Sequence, residues 1–142
     1  AKHSDVSRIQ FYHAGFLSYA HEAEPADFVV TKAAFHHLPD FWKGVALTRM
    51  RSMMSHGAKL YLRDAIFSFA PKDYVDSIQG WIDTAGKPEG EGFTRADFEM
   101  HVRDEYSTYS WVIEGLLERT GFRIEDASLN APTHGRYLCI AV

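Results

Sequence analysis

The strongest constraint on the fold is a strand, a helix and a second strand in immediate succession. Phe28-Val29-Val30-Thr31 is a short continuous apolar run, the pattern of a strand buried on both faces. Leu38-Pro39-Asp40 follows, with proline at the first helical turn. Trp42, Val45, Ala46, Met50 and Met53 then recur at helical spacing and predict an amphipathic helix over Phe41–Met54. Ser55-His56-Gly57 closes that helix, with Gly57 as its left-handed stop. Lys59 to Phe67 reads as the second strand. A unit of this length requires parallel strands joined by a right-handed crossover, which directs the chain to the α/β class.

The flanking segments extend that unit into one domain over residues 1–142. Arg8 to His13 is rich enough in β-branched and aromatic residues to read as a strand, closed by Ala14-Gly15. Beyond Pro71 the pattern turns helical, giving a helical insertion over about residues 72–110. Tyr74, Ile78, Trp81 and Ile82 share one helix face, and Gly86 to Gly92 forms a glycine-rich loop. Thr94 and Asp97 make a capping box for a second helix carrying Phe98 and Val102. Trp111, Val112 and Leu116 mark a third helix, stopped by Gly121. Phe122–Ala127 and Tyr137–Val142 read as a closing antiparallel pair, joined through Asn130-Ala131-Pro132-Thr133-His134-Gly135.

Bulk properties exclude several classes of partner. A formal charge of -4 and a pI near 6.0 give no footprint for nucleic acid or an anionic membrane. No apolar stretch approaches the roughly 18 residues of a membrane span. The single cysteine, Cys139, allows no disulfide within the chain, as expected of a cytoplasmic protein. Ala1 to Ser7 is polar and lacks a starting Met, the pattern of a chain that begins partway through a longer one.

In the order and spacing of these pieces the chain resembles the class I S-adenosylmethionine-dependent methyltransferases from about Arg8 onward. The family's D-x-V strand, histidine-bearing loop and helix correspond to Asp27-Phe28-Val29, His36-His37 and the helix after Pro39. Its L-x-P-G-G turn is matched in part by Met54-Ser55-His56-Gly57-Ala58, with His56 in place of Pro and Ala58 in place of the second Gly. The following strand, Lys59-Leu60-Tyr61-Leu62-Arg63-Asp64, ends in an acid as the family's does. Leu116 to Ile124, through Gly121-Phe122, is similar to the family's closing helix and strand, and Tyr137–Val142 to its last, antiparallel strand.

The resemblance implies a Rossmann-like, doubly wound, mostly parallel sheet with an antiparallel C-terminal strand, and an incomplete one. Such enzymes open with a strand, a glycine-rich loop that lets backbone approach the cofactor, and a second strand ending in an acid for the ribose. Nothing before Arg8 supplies these. The only glycine cluster follows a helix and carries Pro88, Glu89 and Glu91, so it is a loop. The strand at 28–31 then becomes a bare apolar edge, to be covered by a second copy in a homodimer or by a rearranged first strand.

Site residues follow from the same resemblance and lie at the carboxyl ends of the strands. Gly15 stands where relatives carry an Asp for the cofactor's adenine amine, which leaves backbone and Phe16 to make contact. Thr31, Lys32 and Ala33 match the lining of the methionine moiety. His36 and His37 fall where a family histidine faces the substrate or braces the loop, and imidazole can take a proton near neutral pH. Asp64 falls where the family places a polar group near the reaction centre; the other role for it is to accept backbone hydrogen bonds. Arg103 to Tyr109 is either part of a lid or a solvated linker. A metal would need a third ligand beside His36 and His37. His13, His101 and His134 show no ligand spacing, so no metal is expected.

The implied function is transfer of a methyl group from S-adenosylmethionine to a small-molecule acceptor. Such transfer depends chiefly on positioning two reactants in line, so the lack of a catalytic dyad carries no weight. The acceptor is not written in the sequence. The alternative is a truncated or degenerate relative that no longer binds cofactor and acts through self-association. A response-regulator-like module would need an acidic cluster after its first strand, and none is present.

Overall fold

A computed structural model describes residues 9–142; residues 1–8 lie outside the described part. The elements are β1 (Ala26–Lys32), α1 (Asp40–Ser52), β2 (Met54–Phe67), α2 (Tyr74–Ala85), α3 (Arg95–Asp104), β3 (Thr108–Tyr109), α4 (Ser110–Arg119), β4 (Phe122–Ala131) and β5 (His134–Ala141). β1 runs parallel to β2, with Phe28 opposite Lys59 and Lys32 opposite Arg63. β5 lies antiparallel against the other side of β2, and β4 antiparallel against β5. The order is β1-β2-β5-β4, with β3 adding a two-residue parallel pairing beside Ile66 and Phe67. β1, β2 and β4 therefore point one way and β5 alone the other, the mixed α/β sheet that the sequence implied.

One face of this sheet holds the core. Ala46, Leu47 and Met50 of α1 and Ile113 and Leu117 of α4 pack with Leu60, Leu62, Phe122, Tyr137 and Cys139. Burying each of the larger aliphatic side chains contributes about 1.5–3 kcal/mol. The Tyr137 hydroxyl donates to Glu114 Oε1 at 2.9 Å, so its burial leaves no polar atom unmatched. Among the described residues, no helix is long and apolar enough to cross a membrane.

Several local expectations are corrected. The strand over Arg8–His13 does not form: Ile9 to His13 carries no strand, and Arg8 lies outside the described residues. An extended segment needs a ladder of backbone partners, and none joins these residues to β1. β1 is not buried on both faces either, since Phe28 and Val30 are 53% and 60% exposed. The helices cover only the side to which Val29 and Thr31 point.

α1 ends at Ser52 rather than Met54, and β2 begins at once. Gly57 does have a left-handed φ of +83°, but inside β2. There Ala26 stands opposite Met54 and Phe28 opposite Lys59, so the intervening residues of β2 are looped out around it. The buried stripe of α1 is Lys43, Ala46, Leu47 and Met50, and Trp42 faces outward. Trp111 is likewise exposed, and Ile113 and Leu117 carry the contact of α4. The capping box of α3 is present: Thr94 Oγ1 accepts from the Asp97 amide, and the Asp97 carboxylate accepts from the Thr94 amide at 2.7 Å.

Candidate functional site

The carboxyl ends of β1 and β2 meet where Lys32 stands opposite Arg63. Beyond Lys32 the chain turns sharply through Ala33, whose φ of +49° is left-handed for a residue with a Cβ. A conformation of this kind costs about 1–3 kcal/mol and persists only where surrounding contacts enforce it. Here the Ala33 amide donates to the Arg63 carbonyl at 2.9 Å, and the chain then makes a single helical turn over Phe35–His37.

Asp64 holds that turn. Its Oδ2 accepts from the backbone amides of Ala34 and Phe35 at 3.0 and 2.7 Å. Its Oδ1 accepts from the Ala65 amide at 2.8 Å and from His36 Nδ1. The carboxylate is 3% exposed yet every bond a buried anion needs is made. Burial alone would raise its pKa, but the bonds from His36 and from the backbone amides outweigh that and hold the carboxyl below its ordinary value. His36 is raised in turn, chiefly by its bond to Asp64.

A cavity of about 570 Å³ opens in front of this pair. Lys32, Ala33, His36 and Asp64 line its floor, and Trp81 and Phe98 of the helical insertion form its wall. Trp81 packs edge-on against Phe98, His101 and His134, with ring centroids 5.0, 5.5 and 5.7 Å away. His101 and His134 are both shifted down, first by burial and then by the nearby cations His36 and Arg63 respectively.

The insertion is tied to the floor by backbone. The Tyr106 amide donates to the His36 carbonyl at 2.8 Å, and the buried Lys43 ammonium donates to the Tyr106 carbonyl and to Asp40 Oδ1. Asp40 also accepts from Thr108 Oγ1 at 3.1 Å. Glu105 is thereby brought beside the turn, and its Oε2 accepts from His37 Nδ1 at 2.7 Å. His36, His37 and Glu105 each offer a ligand atom, all within 4.8 Å of one another.

The residues singled out in the sequence divide into groups. Lys32, Ala33, His36, His37 and Asp64 meet at the cavity. Gly15 and Phe16 line a separate groove of about 760 Å³ beside β1, together with Val29, Val30 and Met53. A Cβ at Gly15 would touch nothing, and Phe16 packs edge-on against Phe35 at 5.3 Å. Thr31 is buried, lines neither space, and its Oγ1 has no hydrogen-bond partner among the described residues. In the sequence Glu105 belongs to a stretch that is either part of a lid or a solvated linker, and His101 and His134 are scattered histidines without ligand spacing. His101 and Glu105 lie one turn apart at the end of α3, but their convergence with His134 and with the turn after β1 has no signal in local spacing, because these segments are distant in the chain.

No protein-family model matches the chain. It is 31% identical over 104 residues to an uncharacterized methyltransferase of Bacillus cereus, covering 73% of this chain and 44% of that protein. A methyltransferase of Bacillus thuringiensis is 30% identical over the same length and shares. The chain thus spans less than half the length of the curated relatives it matches. Human N-acetylserotonin methyltransferase, solved in complex with SAM, superposes with a TM-score of 0.60 at 14% identity, covering 98% of this chain and 35% of that one. An O-methyltransferase family 2 protein of Planctomyces limnophilus, solved with apigenin, gives 0.59 at 12% identity, covering 91% and 33%. In sequence and in fold, the chain resembles the later portion of a class I S-adenosylmethionine-dependent methyltransferase.

Proposed function

We propose that the chain is the acceptor-side portion of an enzyme that transfers a methyl group from S-adenosylmethionine to a small molecule. The observation that carries this reading is the cavity at the carboxyl ends of β1 and β2, where an open sheet with parallel strands receives its ligand. Its volume lies within the range of small-molecule sites. Its wall of Trp81, Phe93, Phe98 and Met100, facing imidazoles and a carboxylate, suits a compact organic acceptor with a polar group. In this reading Asp64 and His36 position the turn that carries Lys32 and Ala33 to the methyl-donor side.

The described residues fit only part of the cofactor. Lys32 and Ala33 line the cavity and suit the end of the cofactor near its sulfur. Gly15 offers open space but no carboxylate for an adenine amine, and Thr31 is shut away from both spaces. No glycine-rich cradle follows a strand among the described residues. The described residues therefore do not by themselves make up a cofactor site.

The test is a transfer assay on the protein expressed from its complete gene, using methyl-labelled S-adenosylmethionine and a panel of small hydroxyl and amine acceptors. Label should appear in the small-molecule fraction. Ala85→Trp, which fills the cavity from the end of α2, should abolish that transfer and leave binding of S-adenosylhomocysteine unchanged. Absence of both transfer and S-adenosylhomocysteine binding in the complete protein would refute the reading.

A further inference from the structure

We propose that His36, His37 and Glu105 form a binding site for one divalent metal ion of the zinc class at the mouth of the cavity. The sequence offered two adjacent histidines and no third ligand. The fold supplies the third, since Glu105 at the end of α3 reaches the turn after β1.

The donor set suits such an ion. Two imidazoles and one carboxylate are a ligand combination of zinc sites that keep a coordination position open. With metal–ligand bonds of about 2.1 Å, donor atoms around a tetrahedral ion stand roughly 3.4 Å apart. The three groups already lie within 4.8 Å of one another. His37 Nδ1 and Glu105 Oε2, 2.7 Å apart around a shared proton, need to open by less than an ångström to admit the ion in its place.

The surroundings are those of a ligand set held in advance. Asp64 accepts the proton on His36 Nδ1, so the neutral ring that a metal ion would bind offers its Nε2 lone pair. A carboxylate that fixes the tautomer of a histidine in this way is the usual outer partner of a metal-binding imidazole. The two segments that carry the ligands are joined by the bond from the Tyr106 amide to the His36 carbonyl. Lys43 holds Tyr106 from beneath. His101 packs against His36 but is not among the three groups whose ligand atoms come together, and its Nε2 is bonded to Ser107 Oγ at 2.8 Å. Positions left open on the ion would face the cavity, where an oxygen or nitrogen donor of a bound molecule could take one.

This site stands apart from the methyl-transfer reading, and its test uses no activity. Calorimetric titration of this chain with Zn²⁺ alone should give one saturable equivalent, and Co²⁺ should give the visible absorption of a nitrogen- and oxygen-bound ion. His37→Ala and Glu105→Gln alter partly exposed side chains and should fold as the parent does, which far-UV circular dichroism checks. Each should weaken Zn²⁺ binding by about tenfold or more, the low end of what even an outer-shell change costs. His21→Ala and His56→Ala, remote from the site, should leave it unchanged. Absence of saturable Zn²⁺ binding, or binding that survives both His37→Ala and Glu105→Gln, would overturn the proposal.

Discussion

Asp64 and His36 are bonded across the gap between β2 and the turn that follows β1, and the same carboxylate takes the amides of Ala34 and Phe35. One buried anion thus fixes a side chain and two backbone groups of the loop that floors the cavity. Removing it leaves those buried and half-buried donors without their acceptor, at about 1–3 kcal/mol for each that stays unsatisfied. Asp64→Ala should lower the unfolding free energy by about 3 kcal/mol or more, read from the urea midpoint. A loss below about 0.5 kcal/mol would mean that the turn holds without the carboxylate.

Lys43 is 1% exposed and ends on the Tyr106 carbonyl and the Asp40 carboxylate. Lys43→Met keeps the stem in the core and removes the donor from the Tyr106 carbonyl, while Asp40 keeps its bond from Thr108, a cost of about 2 kcal/mol. The segment around Tyr106 should also loosen from the cavity floor. Hydrogen exchange at the Tyr106 amide, which donates to the His36 carbonyl, should quicken in the variant.

Burial pushes the Cys139 thiol from 9.0 up to about 12. The thiolate is the reactive form, so native protein at pH 8 should resist thiol reagents and react only on unfolding. A raised folded value means the contribution is fully present below pH 9.0 and is lost as pH rises towards about 12. Cys139→Ala should therefore flatten part of the fall in stability measured above pH 9. An equally steep fall in the variant would assign that slope to other groups, Tyr137 among them, since burial raises it as well.

Gly121 connects α4 to β4 at a φ of +88°, and its carbonyl accepts from the Val142 amide at 3.0 Å. An added Cβ would meet the Arg51 side chain only at ordinary contact distance, so the penalty of Gly121→Ala is conformational. It should cost about 1–2 kcal/mol in thermal or urea unfolding and leave ligand binding untouched.

The parallel unit of β1, α1 and β2 was legible because each piece carries its own period and the turn residues punctuate them. The closing hairpin was legible for the same reason, through Pro132 and Gly135 between two apolar runs. The inward face of α1 was misread by one position. Lysine patterns as solvent-facing, and Lys43 enters the core only because Asp40 and the distant Tyr106 carbonyl receive its ammonium. The first strand was misread because β-branched and aromatic residues describe a side-chain preference, whereas a strand exists only where a neighbour completes its ladder.

At the site, Asp64 and the two histidines could be named from their places after strands. Their union could not, since the bond between Asp64 and His36 depends on the register of β1 against β2. Glu105, His101, Trp81 and His134 reach the cavity only by tertiary packing, from segments with no common spacing.

The reading of this chain as the acceptor-side portion of a methyltransferase is tested most directly by titrating the complete gene product with S-adenosylhomocysteine, with and without Ala85→Trp. Saturable binding on the order of micromolar, preserved in the variant while transfer to small acceptors is lost, is the predicted result. No binding by the complete protein up to roughly millimolar concentration would contradict it.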